Sequence, residues 1–211
     1  MKDTFKLIAS LGLICLFASA ALVYVHNMVE EPCRAAEQAA LNENLKLVMP
    51  SSAVNMEKME LSSPSDVVFF SGRDASGKVV GYAAESIGNG GFSGDIKVMV
   101  GLTPEGKITG VMVTSHSETP GVGSKATDRK VTKSFWDVMR GRKEEQGVPP
   151  NVYLDSFAGK AVDKLNSSVP LQSAGLKPVS GATYSSNAVY NAVNKIADAF
   201  PGVSAKLAGG N

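Results

Sequence analysis

Residues 96–114 read IKVMVGLTPEGKITGVMVT. Two runs in which apolar residues alternate with others flank Thr103-Pro104-Glu105-Gly106-Lys107. Alternation at period two marks a strand with one buried face. Pro at the second and Gly at the fourth position of the connection suit a type I turn. The stretch therefore predicts an antiparallel hairpin, Ile96–Leu102 with Ile108–Thr114. A second pair lies upstream: Asp66–Phe70 (DVVFF) and Val79–Glu85, joined by the turn RDASGK at 73–78. Four strands in two hairpins predict an antiparallel sheet.

Helical periodicity brackets the strands. Near the C-terminus, Val189, Val193, Ile196 and Phe200 form one stripe over 187–200, and Pro201-Gly202 is expected to stop that helix. A further helix is expected over 127–140, with Val131, Phe135 and Val138 or Met139 inward and Trp136 in the core. Residues 141–178 are less regular, with Pro149, Pro150 and Pro170 as breakers. The fold class is α+β: helices packed on a mainly antiparallel sheet.

The N-terminus is of another kind. Leu7 to Val25 is 19 residues without a charge, enough to cross a hydrocarbon core of about 30 Å. Lys2 and Lys6 precede it, and Glu30 and Glu31 follow, which predicts a cytoplasmic N-terminus and an exported remainder. Ala18-Ser19-Ala20 also fits a small-residue cleavage site, so a removed export signal is the competing reading. Against it, the apolar run continues through Val25, and Tyr24 and His26 stand where an interfacial belt would be. Glu30–Met49, rich in Ala, Glu, Leu and Lys, predicts a juxtamembrane helix ended at Pro50. The expected organisation is thus 1–28 cytoplasmic N-terminus and anchor, 29–52 juxtamembrane helix, and 53–211 extracytoplasmic domain. That leaves about 180 residues outside the membrane segment, enough for one real core.

Charge and composition exclude several functions. A net charge of +1 provides no basic field for nucleic acid. Two Cys and two His, with no Cys-x-x-Cys, make no metal-ligand cluster. Cys15 reads as a small apolar filler and Cys33 as a packing residue, with a cluster shared with partner subunits as its other reading. Lys125, Lys130 and Lys133 read as a solvated basic face. No Ser/His/Asp constellation and no paired carboxylates stand out, so no catalytic residue is assigned. His116 is expected to be a hydrogen-bonding fixture of its loop.

Three permissive loops remain: GNGGFSGD at 88–95, HSETPGVGSK at 116–125 and SGATYSS at 180–186. Each has a plain structural use. In the last, Ser180, Thr183, Ser185 or Ser186 could cap the final helix. The same helix N-terminus is also suited to an anion, and one hydroxyl can cap while its neighbour carries a phosphate. In the second loop, glycines after Glu118, Thr119 and Pro120 let backbone come close to a flat or charged ligand. Three such loops on one small scaffold suggest a ligand rim.

Together, HSETPGVGSK, GGFSGDIKVMVG and SGATYSS resemble the covalently flavinylated FMN-binding domain. That domain occurs in the G subunit of the Rnf ion-translocating electron-transport complex and in the C subunit of the sodium-pumping NADH:quinone reductase. The resemblance covers essentially the whole chain, including the single N-terminal span, and the short length favours the Rnf protein. It implies FMN joined to Thr183 by a phosphoester, installed by an FAD-dependent flavin transferase that releases AMP. Ser180, Gly181 and Ala182 would form the recognition context, with Glu118, Thr119, Val122 and Ser93 as walls of the flavin site. It further implies an electron-transfer subunit working with other membrane and peripheral subunits, in a complex coupling ferredoxin and NAD to Na⁺ or H⁺ movement. The chain departs from the family pattern at Lys177-Pro178-Val179, where an acidic residue is frequent, and at Val122, where a larger aliphatic residue is usual. A reading from another class is an exported module that binds an anionic ligand reversibly, with no redox group.

Overall fold

The computed structural model describes residues 2–50, 52–59, 66–129 and 149–208. They form two compact units, 1–42 and 43–211. The first unit consists of most of α1, a helix running from Lys2 to Val48. It is long and apolar enough to cross a membrane, and Leu11, Ile14, Phe17 and Leu22 on it are all exposed. The anchor and the juxtamembrane helix expected from sequence are thus one helix, and Pro32 lies within it. A proline deletes one backbone donor, but strong helix formers on both sides let the helix propagate across that local loss.

The second unit carries a five-stranded antiparallel sheet in the order β1-β2-β3-β4-β5. The strands are β1 Asn55–Met59, β2 Val68–Arg73, β3 Val79–Gly88, β4 Ile96–Leu102 and β5 Ile108–Ser115. The quoted hairpin forms as read, with Val100 opposite Val111 and Leu102 opposite Ile108. Its turn closes through the Gly106 N–H donating to the Thr103 carbonyl at 2.9 Å, and Gly106 takes φ +79°. The edge strand β1 (NMEKM) was missed. It is polar and mostly exposed, so it lacks the apolar alternation that marks a strand and forms by backbone pairing to β2.

Two layers cover the sheet. The C-terminal helix, Thr183–Ala208, lies on the face bearing Phe69, Tyr82, Ala84, Val98, Val100 and Val111. Its stripe Val189, Val193, Ile196 and Phe200 is buried there as expected. On the opposite face, Leu45, Val48 and Met49 are buried, and the Thr109 hydroxyl donates to the Val48 carbonyl at 2.7 Å. The C-terminal helix departs from its expected bounds at both ends: it begins at Thr183, and it passes through Pro201. Val203, beyond the proline, is fully buried in the core. Burying such a side chain contributes about 1.5–3 kcal/mol, which offsets most of the roughly 3 kcal/mol that a proline costs inside a helix.

Short elements connect these layers: α2 Ser124–Thr127, α3 Val152–Asp155 and a 3-10 turn Val162–Leu165. The terminal helix is therefore α4. The helix expected over 127–140 does not start at Thr127, which is the last residue of α2. Asp128 is extended, with ψ 133°. It is held so because the Asn151 amide donates to its carbonyl at 2.9 Å, while Arg129 is drawn onto the Val111 carbonyl. The remaining positions of that expectation, including Lys130, Val131, Lys133, Phe135, Trp136, Val138 and Met139, lie outside the described residues.

Candidate functional site

The three glycine-bearing loops meet at one end of the sheet. A cleft of ≈ 320 Å³ opens between them, lined by Phe92, Val122, Gly123 and the run Gly181 to Ser185. Its rim is apolar and open to solvent: Phe92 is 72%, Tyr184 67% and Val122 49% exposed. Contiguous exposed apolar surface around a concavity is uncommon on a domain that has no ligand or partner.

Thr183 is the first residue of α4 and its side chain faces the cleft, exposed. Gly181 approaches it with φ +79°, a left-handed conformation that a side chain would strain. The Ala182 N–H closes this turn onto the Val179 carbonyl at 2.9 Å. The hydroxyls expected to cap the helix are engaged elsewhere. Ser186 donates to the Ala182 carbonyl at 2.9 Å and accepts from the Val179 N–H at 3.0 Å. Ser185 donates to Glu118 at 2.7 Å. Among the described residues, no side chain accepts from the N–H groups of Thr183, Tyr184 or Ser185. The helix thus presents orphan donors and the positive end of its dipole beside an unencumbered threonine hydroxyl.

Glu118 is only 5% exposed and lies beneath the cleft, not in its wall. One carboxylate oxygen accepts from the Ser93 N–H at 3.2 Å, the other from the Ser185 hydroxyl at 2.7 Å. This alters the meaning of two glycines. A Cβ on Gly123 would collide with the Glu118 carboxylate and sit 2.9 Å from the Ser185 hydroxyl oxygen; one on Gly91 would lie 2.6 Å from Oε1 of Glu118. Neither takes a positive φ, so both are small to make room for the carboxylate. Gly121, at φ +78° with open space around it, is the one in this loop that serves the turn.

The second loop is braced from behind. The Glu118 N–H donates to Nδ1 of His116 at 3.2 Å, so the ring proton sits on Nε2 and is given to Asp128 Oδ1 at 2.5 Å. His116 is therefore a fixture of the loop. The Thr119 carbonyl accepts from Val122 and Ser124, and the Ser124 hydroxyl accepts from the Gly121 N–H at 2.7 Å; this tight turn projects Val122 into the cleft. Under α4, the buried Tyr153 hydroxyl donates to the Ser186 carbonyl at 2.7 Å, and burial pushes the phenol far above its usual value.

Of the residues expected at the site, Thr183, Gly181, Ala182 and Val122 line the cleft. Ser180, Ser93 and Thr119 are exposed in the adjoining loops. Phe92 and Tyr184 were not anticipated. Each is an aromatic beside a glycine-rich or hydroxyl-rich turn, a place where burial is hard to arrange, and that was the available signal.

The sequence profile of the FMN-binding domain matches residues 91–198, a span holding all three cleft segments. Over 131 residues the chain is 34% identical to the G subunit of the ion-translocating oxidoreductase complex of Haemophilus influenzae; the match covers 58% of this chain and 61% of that relative, so the chain spans about three fifths of its length. Over 205 residues it is 27% identical to the protein of the same name from Methanosarcina acetivorans, covering 93% and 94% of the two chains. Among solved structures, Shewanella oneidensis NqrC aligns with a TM-score of 0.46 and 22% identity, over 75% of this chain and 73% of that one.

Proposed function

Because this chain belongs to the FMN-binding domain family, we propose that it is a membrane-anchored flavoprotein subunit of an Rnf-type ion-translocating oxidoreductase complex, with FMN esterified to Thr183. The observation that carries this reading is the exposed Thr183 hydroxyl at the cleft, beside backbone donors that no side chain takes up. The residues suit the group. The orphan N–H groups of the first turn of α4 favour a phosphate, and Phe92, Val122 and Tyr184 offer apolar surface to a flat ring system. A cleft of ≈ 320 Å³ is at the small end of ligand sites, which suits a group held by one bond and left accessible to redox partners.

FMN held there would supply reversible electron transfer. The chain's share is attachment and placement. In maturation by a flavin transferase, the Thr183 oxygen would bond to the FMN-side phosphorus of FAD as the pyrophosphate bond breaks. The hydroxyl proton is lost and AMP leaves. A permanent ester is useful on the outer face of a membrane, where no cytoplasmic FMN pool could refill an emptied site. Lys2 and Lys6 ahead of the apolar run favour a cytoplasmic N-terminus with the FMN domain outside. The two relatives, both G subunits by name, favour electron transfer between other subunits of a ferredoxin- and NAD-linked complex over the quinone-reductase role.

The test uses chain made in its native host. Flavin fluorescence should stay with the protein band after boiling in detergent, and the peptide containing Thr183 should carry an FMN-sized mass increment. Thr183→Ala should lose both. An unmodified peptide from the host, or fluorescence persisting in Thr183→Ala, would overturn the proposal.

A further inference from the structure

We propose that Glu118 is a positioning residue that locks the first turn of α4, and with it Thr183, through the Ser185 hydroxyl. This inference rests on the reading of Thr183 as the attachment point, and concerns how that residue is presented. Glu118 is buried under the cleft and touches neither the Thr183 side chain nor the cleft lining directly, except through Ser185. Its two oxygens join segments distant in sequence: Ser93 lies 25 residues before it and Ser185 lies 67 after. Its own backbone is fixed by His116, which is held in turn by Asp128, and Asp128 is tied to Asn151 at the start of α3. The glycines at 91 and 123 keep the space it occupies.

Burying a carboxylate is unfavourable unless it is fully paired. An apolar contact would hold three loops together without that cost. What the carboxylate adds is direction, because both oxygens accept charge-assisted hydrogen bonds of defined angle. It also adds a negative charge close to the positive end of α4. The choice of Ser185 as its partner matters chemically. A conventional N-cap would stop the first turn fraying by taking up the N–H groups of the helix. Anchoring the turn by the Ser185 side chain stops fraying and leaves those N–H groups for an incoming phosphate. Glu118 therefore substitutes for a cap at the one helix start where a cap would compete with the ligand.

The test has two readouts on the full chain in detergent. The first is amide hydrogen exchange on chain made without a flavin transferase, followed at residues 187–190, whose helical bonds go to the carbonyls of the first turn. Glu118→Ala should speed exchange there by about tenfold or more, the effect of losing a charge-assisted bond. Ser185→Ala, which is milder and keeps the carboxylate, should show the same change in smaller measure, and it carries the test if Glu118→Ala does not fold. Glu118→Gln, which can still accept from Ser93 and donate to Ser185, should restore most of the protection. The second readout is the rate of FMN incorporation from FAD by the transferase, which should fall in both alanine variants. Exchange unchanged within about twofold in both alanine variants would overturn the lock, as would a glutamine variant exchanging as fast as the alanine one. A parent chain that shows this exchange pattern but never takes FMN would sink the ester at Thr183 and leave the lock standing. A flavinylated parent whose alanine variants exchange and incorporate like it would do the reverse.

Discussion

Gly88 is where α4 comes closest to the sheet, so Gly88→Ala should test how rigidly the site is mounted. A Cβ built on Gly88 overlaps the Ala188 carbonyl oxygen, lies 2.7 Å from its carbonyl carbon and 3.1 Å from the Ala192 methyl. Two of these three obstacles are helix backbone, so no rotamer change relieves them; α4 must move off β3. Overpacking costs about 1–3 kcal/mol where neighbours can adjust, and a backbone obstacle puts this case at about 3 kcal/mol. Each kcal/mol moves the melting temperature of a domain this size by about 2–4 °C, so Tm should fall by about 6–12 °C. Gly110 is the control. It sits within β5 with nothing within 4 Å of a Cβ, and alanine is favoured over glycine inside a strand by about 0.5–1 kcal/mol. Gly110→Ala should therefore raise Tm by about 1–4 °C. Scanning calorimetry of the full chain in detergent measures both. The same substitution thus has opposite signs at two glycines of one sheet. If Gly88→Ala melts within about 2 °C of the parent, the contact between α4 and β3 is looser than these distances require, and Thr183 is not rigidly held.

Two further outcomes follow from buried polar groups. Arg129 gives its guanidinium to the Val111 and Pro149 carbonyls and, at 2.7 Å, to Asp155. Arg129→Ala should cost about 2–3 kcal/mol in denaturant unfolding, and Arg129→Lys should recover less than half, since one ammonium cannot bracket two carbonyls and a carboxylate; a lysine variant as stable as the parent would refute this. Burial raises the Tyr153 phenol, with the neighbouring Tyr190 adding to the effect, so the folded chain keeps a proton that the unfolded chain gives up near pH 10. That stabilisation is intact below about pH 10 and is lost as pH rises toward the folded-state value. Tyr153→Phe should cost about 1 kcal/mol at neutral pH and make the alkaline loss of stability shallower, though not flat, because burial also raises Tyr82 and Tyr190. An alkaline limb as steep as the parent's would count against the assignment.

Some of this protein was determined locally. The apolar run from Leu7 to Val25, the hairpin at 96–114 and the stripe Val189, Val193, Ile196 and Phe200 are periodic patterns, and a period states which face is buried whatever comes to cover it. Thr183 and Val122 were legible because glycine and hydroxyl residues crowd where backbone must turn sharply. Tertiary structure decided the rest. β1 exists because β2 offers it a hydrogen-bonding edge. α4 outlasts Pro201 because Val203 reaches the core, and Asp128 is extended because Asn151 holds its carbonyl. Glu118 passed from cleft wall to buried brace because its partner Ser185 is 67 residues away. Periodicity is written among neighbours in the chain, but the pairing of a hydrogen-bonding group depends on what the fold brings within about 3 Å of it, and no local stretch of sequence carries that information.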